Sequence, residues 1–252
     1  MFFSEKLRKI SNINHFFFSR NNGHSKDIYD SLNCGIGSND DKKNVIKNLK
    51  FVSSKLNIKD ASLKLMYQTH SNRVIVVNKK NEDKTRFNSD ALITNVKGLG
   101  LGVLTADCVP IILYDIESGF IGCIHAGWKG LVTNIIKNTI DELKKFSVKN
   151  KIIASVGPCI GFKSYEVEID FYKKFVAISK NNQIFFSKKN DKKFLFNIRA
   201  YANNELTKYG AYSIDNVEYD TFIDSSNFYS YRRSQKLGER DYGRSISAIS
   251  LI

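Results

Sequence analysis

Between Leu63 and His125 the chain carries a run of short apolar segments, each separated from the next by only a few residues. Apolar segments of about four to eight residues with turn-forming residues at their ends are typical of β-strands. The predicted strands are Leu63–Tyr67, Val74–Val77, Ala91–Thr94, Leu99–Thr105, Val109–Tyr114 and Phe120–His125. Because these strands follow one another so closely, the region does not fit a regular array of alternating strands and helices.

Helical patterns and further strands flank this region. Apolar residues at helical spacing predict helices over 41–57, from Trp128 to Leu143, over Glu168–Ile178 and over 198–209. More strands are expected at Ile13–Ser19 and Ile152–Val156, with two or three short ones after Ala211 around a turn at Tyr231-Arg232-Arg233. The predicted fold class is α+β, with mixed β-sheets flanked by helices in a single compact domain over residues 1–252.

Composition excludes several classes of protein. The chain has 252 residues and is 42% hydrophobic, which is enough for a full core. Its longest apolar runs are far too short to cross a bilayer, and the N-terminus lacks the pattern of a signal peptide. We therefore expect a cytoplasmic protein without a membrane partner, either a monomer or a homodimer. In such a protein the four cysteines are free thiols or metal ligands rather than disulfides.

The formal net charge of +14 admits two interpretations. A polyanion such as nucleic acid would be a natural partner for a basic chain. However, the lysines occur throughout in small groups, such as Lys79-Lys80 and Lys144-Lys145, whereas a binding surface would concentrate them on one face. We therefore expect no specific nucleic-acid partner, although a basic background would help to attract a phosphate-bearing substrate.

Two histidines and several cysteines lie where predicted strands end, and they are candidate metal ligands. His70 follows the strand Leu63–Tyr67, Cys108 lies in a break between two apolar strands, and His125 ends a third strand before Ala126-Gly127. Two imidazoles and one thiolate suffice to hold a catalytic zinc ion with one open position. Spacing alone does not identify the sulfur ligand. Cys123 shares a strand face with His125, and Cys159 follows Gly157-Pro158, so both compete with Cys108.

Several strings carry a resemblance to a known family. They are Gln68-Thr69-His70, Asp90-Ala91-Leu92-Ile93-Thr94, Leu104-Thr105-Ala106-Asp107-Cys108-Val109-Pro110, His125-Ala126-Gly127-Trp128-Lys129-Gly130, Gly157-Pro158-Cys159-Ile160-Gly161 and Ser230-Tyr231-Arg232-Arg233. In this order they resemble the laccase-domain family, the bacterial polyphenol oxidase-like proteins that are regarded as purine nucleoside phosphorylases. The resemblance runs from about Phe17 to Ile249. It implies that zinc is held by His70, Cys108 and His125, which leaves Cys123 and Cys159 as core or supporting residues.

The resemblance also implies an activity: phosphorolysis of adenosine, inosine, guanosine and methylthioadenosine, together with hydrolytic deamination of adenosine. Purine nucleosides and inorganic phosphate would be the substrates. The cations available for phosphate are Arg20, Lys129, Arg232 and Arg233, of which Lys129 stands where the family commonly has arginine. Gln68 and Asn33 are candidate hydrogen-bonding partners of the base or ribose. Asp107 is either a general base, a residue that orients His125, or simply a turn residue.

Other functions remain open at this stage. Copper at the same ligands would give a polyphenol oxidoreductase, but a multicopper laccase needs many histidines and this chain has four. A basic RNA-binding protein with a structural Cys/His site lacks support from an RNA-binding motif. A cysteine hydrolase would use Cys108 with a histidine and no metal. A specialised sugar-peptide substrate is a further possibility.

Overall fold

The computed structural model describes residues 1–147, 149 and 151–252. Its strands, numbered along the chain, are β1 (Ile13–Phe17), β2 (Leu63–Tyr67), β3 (Val74–Val76), β4 (Arg86–Asn88), β5 (Ala91–Thr94), β6 (Gly100–Thr105), β7 (Val109–Asp115), β8 (Ile121–Ala126), β9 (Ile152–Val156), β10 (Glu166–Glu168), β11 (Phe186–Lys188), β12 (Lys193–Phe196), β13 (Ser213–Asn216) and β14 (Ser245–Leu251). The α-helices are α1 (Lys42–Lys55), α2 (Trp128–Val132), α3 (Ile135–Lys144), α4 (Ile169–Ile178), α5 (Ile198–Tyr209) and α6 (Tyr231–Leu237).

Within the described residues these strands form three sheets. A six-stranded sheet has the order β13-β9-β7-β8-β5-β3, a five-stranded sheet has the order β1-β14-β6-β2-β4, and a small sheet has the order β10-β12-β11. Both large sheets are mixed. For example, β2 pairs in parallel with β4 and β6, whereas β14 pairs antiparallel with β6 and β1.

The two large sheets pack face to face, and helices cover their outer surfaces. Successive residues of β7 alternate between two cores: Ile112 points between the sheets, while Ile111 and Leu113 pack against the side that carries α3 and α5. On the other side, Val52 of α1 packs on the five-stranded sheet. The central strands are therefore buried on both faces, which explains why their sequences are apolar throughout rather than alternating.

Polar residues set the ends of the helices. The Asp41 side chain accepts a hydrogen bond from Lys43 N at the start of α1, and Asn197 accepts one from Ala200 N at the start of α5. Helix α5 ends at Gly210, whose φ of 96° lies in the left-handed region that glycine adopts without strain. These caps satisfy backbone groups that a helix end otherwise leaves without partners.

The predicted α+β class and single compact domain are confirmed, and the ends of the predicted strands and of the helices over 41–57, 168–178 and 198–209 agree exactly or to within two residues. Two details were wrong. The helix expected from Trp128 is interrupted at Asn134, whose φ of 71° separates α2 from α3. The turn expected at Tyr231-Arg232-Arg233 is the first turn of α6, which Ser230 caps by accepting a hydrogen bond from Arg233 N.

Across the described residues, none of the helices combines the length and apolar character that a membrane span requires.

Candidate metal centre

The structure brings His70, Cys108 and His125 together at the seam between the two large sheets. His70 follows β2 of the five-stranded sheet, His125 lies on β8 of the six-stranded sheet, and Cys108 lies in the turn from β6 to β7 that connects the sheets. One ligand atom from each of these side chains lies within 4.8 Å of the other two. The rings of His70 and His125 meet edge to face, with centroids 4.7 Å apart.

A buried carboxylate orients His125. Asp90 is completely buried at the start of β5, and its Oδ1 lies 2.7 Å from His125 Nδ1. An ionised carboxylate only accepts hydrogen bonds, so Nδ1 carries a proton and Nε2 is the nitrogen that is available to a metal. A carboxylate behind a histidine is the usual support of a metal-binding imidazole, because it fixes both the tautomer and the ring orientation.

The same carboxylate also holds the loop that carries His70. Asp90 accepts hydrogen bonds from the backbone N–H groups of Thr69, His70 and Ser71, and from Ser71 Oγ at 2.6 Å. His70 itself has a φ of 58°, a backbone conformation that a residue with a side chain rarely adopts. The hydrogen bonds to Asp90 stabilise this conformation, and so they fix the position of the ring.

Because Gly127 has no side chain, the His70 ring can lie directly against its backbone. A Cβ atom at this position would lie 2.4 Å from His70 Nδ1 and 3.2 Å from Cys108 Sγ. Any larger residue would therefore displace the ring or the sulfur. The glycine after His125 thus allows the three side chains to come together.

Charges within the cluster control the protonation of the two rings. Burial alone would lower the pKa of His125, but the negative charge of Cys108 and the hydrogen bond to Asp90 outweigh burial and raise this pKa to about 9. Burial, followed by repulsion from His125, lowers the pKa of His70. Because its pKa is raised, His125 would have to release a proton before its free nitrogen binds a divalent cation.

The donor set fits a zinc ion. The site offers two imidazole nitrogens and one sulfur, the Asp90 carboxylate supports the His125 ring, and Gly127 leaves room for His70 and Cys108 side by side. The competing cysteines lie elsewhere. Cys123 is fully buried between the large sheets, with Sγ 3.4 Å from Leu101 O, and Cys159 is fully buried in the core on the helix side.

Two cavities adjoin the cluster, and His70, Ala106, Cys108 and Tyr242 line both. The first cavity, of about 410 Å³, is also lined by Tyr67, Gln68, Arg86 and Arg244, and we call it the arginine cavity. The second, of about 450 Å³, is also lined by Trp128, Lys129, Tyr165, Tyr231 and Arg232, and we call it the aromatic cavity. A molecule in the aromatic cavity would reach His70 and Cys108, and one in the arginine cavity would reach all three side chains of the cluster.

The predicted phosphate-binding cations separate into two groups. Lys129 and Arg232 line the aromatic cavity. Arg20 and Arg233 line a third cavity, of about 270 Å³, in which Arg233 donates to the carbonyl groups of Thr221, Phe222 and Phe228. The Arg20 guanidinium donates to backbone carbonyls and stacks on Tyr229 at 4.5 Å. This second pair therefore holds loops together in the present structure.

The two predicted amides are engaged with the protein. Gln68 lines the arginine cavity, but its amide donates to Leu104 O and accepts from Leu104 N. Asn33 is fully buried and accepts hydrogen bonds from Gly35 N and Arg244 N, both at 2.9 Å. Asn33 thus shapes the arginine cavity by holding the backbone of Arg244.

Asp107 contacts the start of α6 rather than His125. Its carboxylate accepts hydrogen bonds from Thr221 Oγ1, Ser230 Oγ and Arg232 N, at 2.7 to 2.9 Å. Of the roles considered for Asp107, the structure contradicts the orientation of His125, because Asp90 occupies that position. Burial raises the pKa of Asp107, while its hydrogen bonds oppose that change.

Sequence reasoning assigned no role to Asp90, Arg86, Tyr242 or Arg244. For Asp90 a signal was available: an aspartate directly before the apolar strand Ala91–Thr94 has no solvent-exposed position if that strand is central. Arg86 and Arg244 are distant in sequence from the cluster and carry no local pattern. Only the pairing of β4 with β2 and of β14 with β6 brings them to it.

Several known proteins are similar to this chain over most of its length. A purine nucleoside phosphorylase of Rickettsia conorii is 33% identical over 216 residues, covering 82% of this chain and 88% of the relative. One of Haemophilus influenzae is 32% identical over 230 residues, covering 90% and 91%. A solved structure of a Neisseria meningitidis protein superposes with a TM-score of 0.85 at 28% identity, covering 96% of this chain and 95% of that one. A Bacillus licheniformis hypothetical protein gives a TM-score of 0.89 at 26% identity, covering 98% and 95%.

The family described as multi-copper polyphenol oxidoreductase laccase matches residues 14–252, which is nearly the whole chain. By that match, and by its likeness to proteins named purine nucleoside phosphorylase, the chain belongs to this laccase-like family.

Proposed function

We propose that the protein is a zinc-dependent purine nucleoside phosphorylase that also deaminates adenosine. The observation that carries the proposal is the convergence of His70, Cys108 and His125 beside a cavity walled by aromatic rings. The names of the similar proteins support the phosphorylase activity. The free thiols of the four cysteines support a reducing, cytoplasmic location.

His70, Cys108 and His125 would hold the metal, with Asp90 supporting both imidazoles. When bound, zinc supplies Lewis-acid activation of an oxygen atom at the open position. Zinc accepts this mixed set of nitrogen and sulfur ligands without redox chemistry, which fits a transfer reaction.

The aromatic cavity fits the nucleoside. Four aromatic side chains line this cavity: Trp128, Tyr165, Tyr231 and Tyr242. A purine would pack against these rings in the offset or edge-to-face arrangements that aromatic pairs prefer. Lys129 and Arg232 lie in the same cavity and would donate to the departing base. Asp107 acts on the substrate indirectly, because it holds the backbone N–H of Arg232 at the start of α6.

In phosphorolysis, a phosphate oxygen forms a bond to C1′ of the ribose while the bond from C1′ to the purine N9 breaks. N9 takes the electron pair, and a cationic donor stabilises the charge that develops on the purine. The products are ribose 1-phosphate and the free base. In deamination, water adds at C6 of adenosine and ammonia leaves, giving inosine. Both reactions need an oxygen nucleophile and a purine next to the same cluster.

The test is turnover of inosine by the purified protein, with its metal content measured. We expect release of hypoxanthine only when phosphate is present, and loss of both metal and activity in Cys108→Ala. Adenosine should give inosine without phosphate. Activity that survives metal removal and is blocked by a thiol alkylator would show a cysteine hydrolase instead. Absence of turnover together with tight, salt-sensitive RNA binding would show a binding protein.

The family description favours copper oxidation as a second candidate function. Copper binds imidazole and thiolate more tightly than zinc does, so the same cluster would hold it. Among the described residues, however, the only His/Cys group of this kind is the one cluster, and a multicopper oxidase needs several. Phenol oxidation by copper-loaded protein that exceeds inosine turnover by zinc-loaded protein would establish this second function.

A further inference from the structure

We propose that the arginine cavity is the subsite for inorganic phosphate, with Arg86 as its main donor and Arg244 in support. This inference rests on the proposed phosphorylase function and moves the phosphate away from the cations that the sequence indicated. The arginine cavity and the aromatic cavity share the wall formed by His70, Ala106, Cys108 and Tyr242. Phosphate and nucleoside would thus approach the cluster from adjoining spaces.

Arg86 has hydrogen-bonding capacity that the protein leaves unused. It lines the cavity from β4, and its Nε is buried with no hydrogen-bond partner among the described residues. Its Nη2 makes only a long contact of 3.4 Å to Met66 O. A buried, unpaired donor is costly, and a ligand that accepts a hydrogen bond would remove that cost. The guanidinium matches a phosphate because its N–H groups form a planar fork.

Tyr67 supports the Arg86 guanidinium, and Arg244 adds a second cation to the same cavity. The Arg86 guanidinium stacks on the Tyr67 ring at 3.8 Å, which fixes its plane. Arg244 stacks on Tyr242 at 4.2 Å and donates to Tyr242 O. Asp241 lies 3.5 Å from Arg244 and fixes its position. Among the described residues, the lining of the arginine cavity includes two arginines and two histidines but no carboxylate.

The cations that the sequence indicated are less suited to phosphate. Lys129 is exposed and solvated, and Arg232 donates to Glu166 O at 2.8 Å. Carboxyl groups also line the two cavities that contain these cations. Asp107 lines the aromatic cavity, and Asp27 and Glu239 line the cavity of Arg20 and Arg233. A carboxylate would repel a phosphate anion. With phosphate and nucleoside in separate cavities, both substrates bind before reaction, which predicts sequential rather than ping-pong kinetics.

The test compares Arg86→Gln with Arg8→Gln in the zinc-loaded protein. Arg8 is an exposed arginine near Glu5, so its replacement removes the same charge away from both cavities. A charged hydrogen bond corresponds to roughly a 10- to 100-fold change, so we expect Arg86→Gln to raise the KM for phosphate by that factor. The KM for inosine should stay unchanged, and Arg8→Gln should change neither constant. Arg232→Gln should instead raise the KM for inosine.

Binding is measured separately from turnover. Inorganic phosphate should raise the Tm of the wild-type protein above that in sodium chloride of equal ionic strength, and Arg86→Gln should abolish this rise. If Arg86→Gln folds poorly, Gly35→Ala replaces it, because the added Cβ would lie 2.8 Å from Arg244 Cδ, whereas Gly37→Ala meets open space. An unchanged phosphate KM and Tm rise in Arg86→Gln would overturn the inference. Phosphate binding that depends on Arg86 in a protein without phosphorolysis would refute only the proposed function.

Discussion

Asp90 connects two of the three proposed ligands, since its carboxylate bonds both His125 Nδ1 and the backbone of the His70 loop. We predict that Asp90→Asn weakens zinc affinity by about 10- to 100-fold, because the amide loses the charge that supports the imidazole. Competition with a chromogenic chelator measures this affinity. Asp115→Asn is the matched control, since Asp115 is equally buried but caps the turn at Ser118. Equal zinc affinity in Asp90→Asn and wild type would contradict the assignment.

Gly127 provides a steric test of the same cluster. Gly127→Ala places a Cβ 2.4 Å from His70 Nδ1, so the ring must move or the backbone must shift. We expect loss of bound metal and a stability cost of about 1–3 kcal/mol, as is typical of overpacking. Metal analysis and chemical denaturation measure the two effects. Gly37→Ala, which meets open space, should keep both the metal and the stability.

Cys123 lies on the same strand as His125, and a variant at this position distinguishes a buried core residue from a metal ligand. Its side chain lies between the large sheets, away from the cluster. We predict that Cys123→Ser costs about 1–3 kcal/mol of unfolding free energy, because it places a hydroxyl group in an apolar core. Zinc content and turnover should remain at wild-type levels. A folded Cys123→Ser protein without metal would show that this cysteine, rather than Cys108, is the sulfur ligand.

At the scale of elements, the N-terminal segment attaches to β1 through His15. The ring is 4% exposed, and its Nε2 accepts a hydrogen bond from Ser4 N at 3.0 Å. Burial lowers the pKa of His15 from 6.5 to about 4. The folded state therefore favours the neutral ring. Its contribution to stability is complete above pH 6.5 and is lost as the pH falls from 6.5 to about 4.

This pKa difference corresponds to about 3 kcal/mol of unfolding free energy between neutral pH and pH 4. His15→Gln keeps a hydrogen-bond acceptor but cannot take up a proton in this range. We expect the pH dependence of stability to be shallower in His15→Gln by about that amount, as measured by urea unfolding at pH 7.5 and pH 4. Parallel curves for the two proteins would show that His15 does not titrate on unfolding.

Elements with a strong local pattern could be predicted from the sequence, and those held by tertiary contacts could not. The long apolar strands β6 to β8 and helix α5 appear where the periodicity places them. Helix α6 has only seven residues, so its cap at Ser230 and its end at Gly238 are weak signals in isolation. The small sheet of β10, β11 and β12 forms because Phe196 and its aromatic neighbours pack against α4, which short segments do not reveal.

At the scale of the whole molecule, the residues of the site that depend on tertiary contacts could not be predicted from the sequence either. The resemblance selected His70, Cys108 and His125, and these three side chains meet in space. The carboxylate behind them and the arginines beside them depend on how β5 pairs with β8 and β4 with β2. Strand pairing over such separations has no local sequence signal, so these residues became visible only in the folded chain.

Metal binding should also stabilise the entire fold, because a ligand that binds only the native state shifts the unfolding equilibrium. We expect zinc removal by a chelator to lower the Tm of the wild-type protein. At a free zinc concentration of about 100 times the Kd, the stabilisation is about 2.7 kcal/mol. Cys108→Ala should show no further decrease with the chelator. A wild-type Tm that does not respond to the chelator would argue against a metal bound across the two sheets.

The three side chains of the cluster come from both sides of the turn between β6 and β7. The turn that carries Cys108 is one of the points where the chain passes from the five-stranded sheet to the six-stranded one; His70 precedes this turn in sequence and His125 follows it. If the polypeptide were divided at this turn, each fragment would keep only one histidine of the cluster, and neither fragment would hold the complete ligand set. Zinc binding by a mixture of the two fragments would then require their correct assembly, so bound zinc would measure how much of the native fold has re-formed.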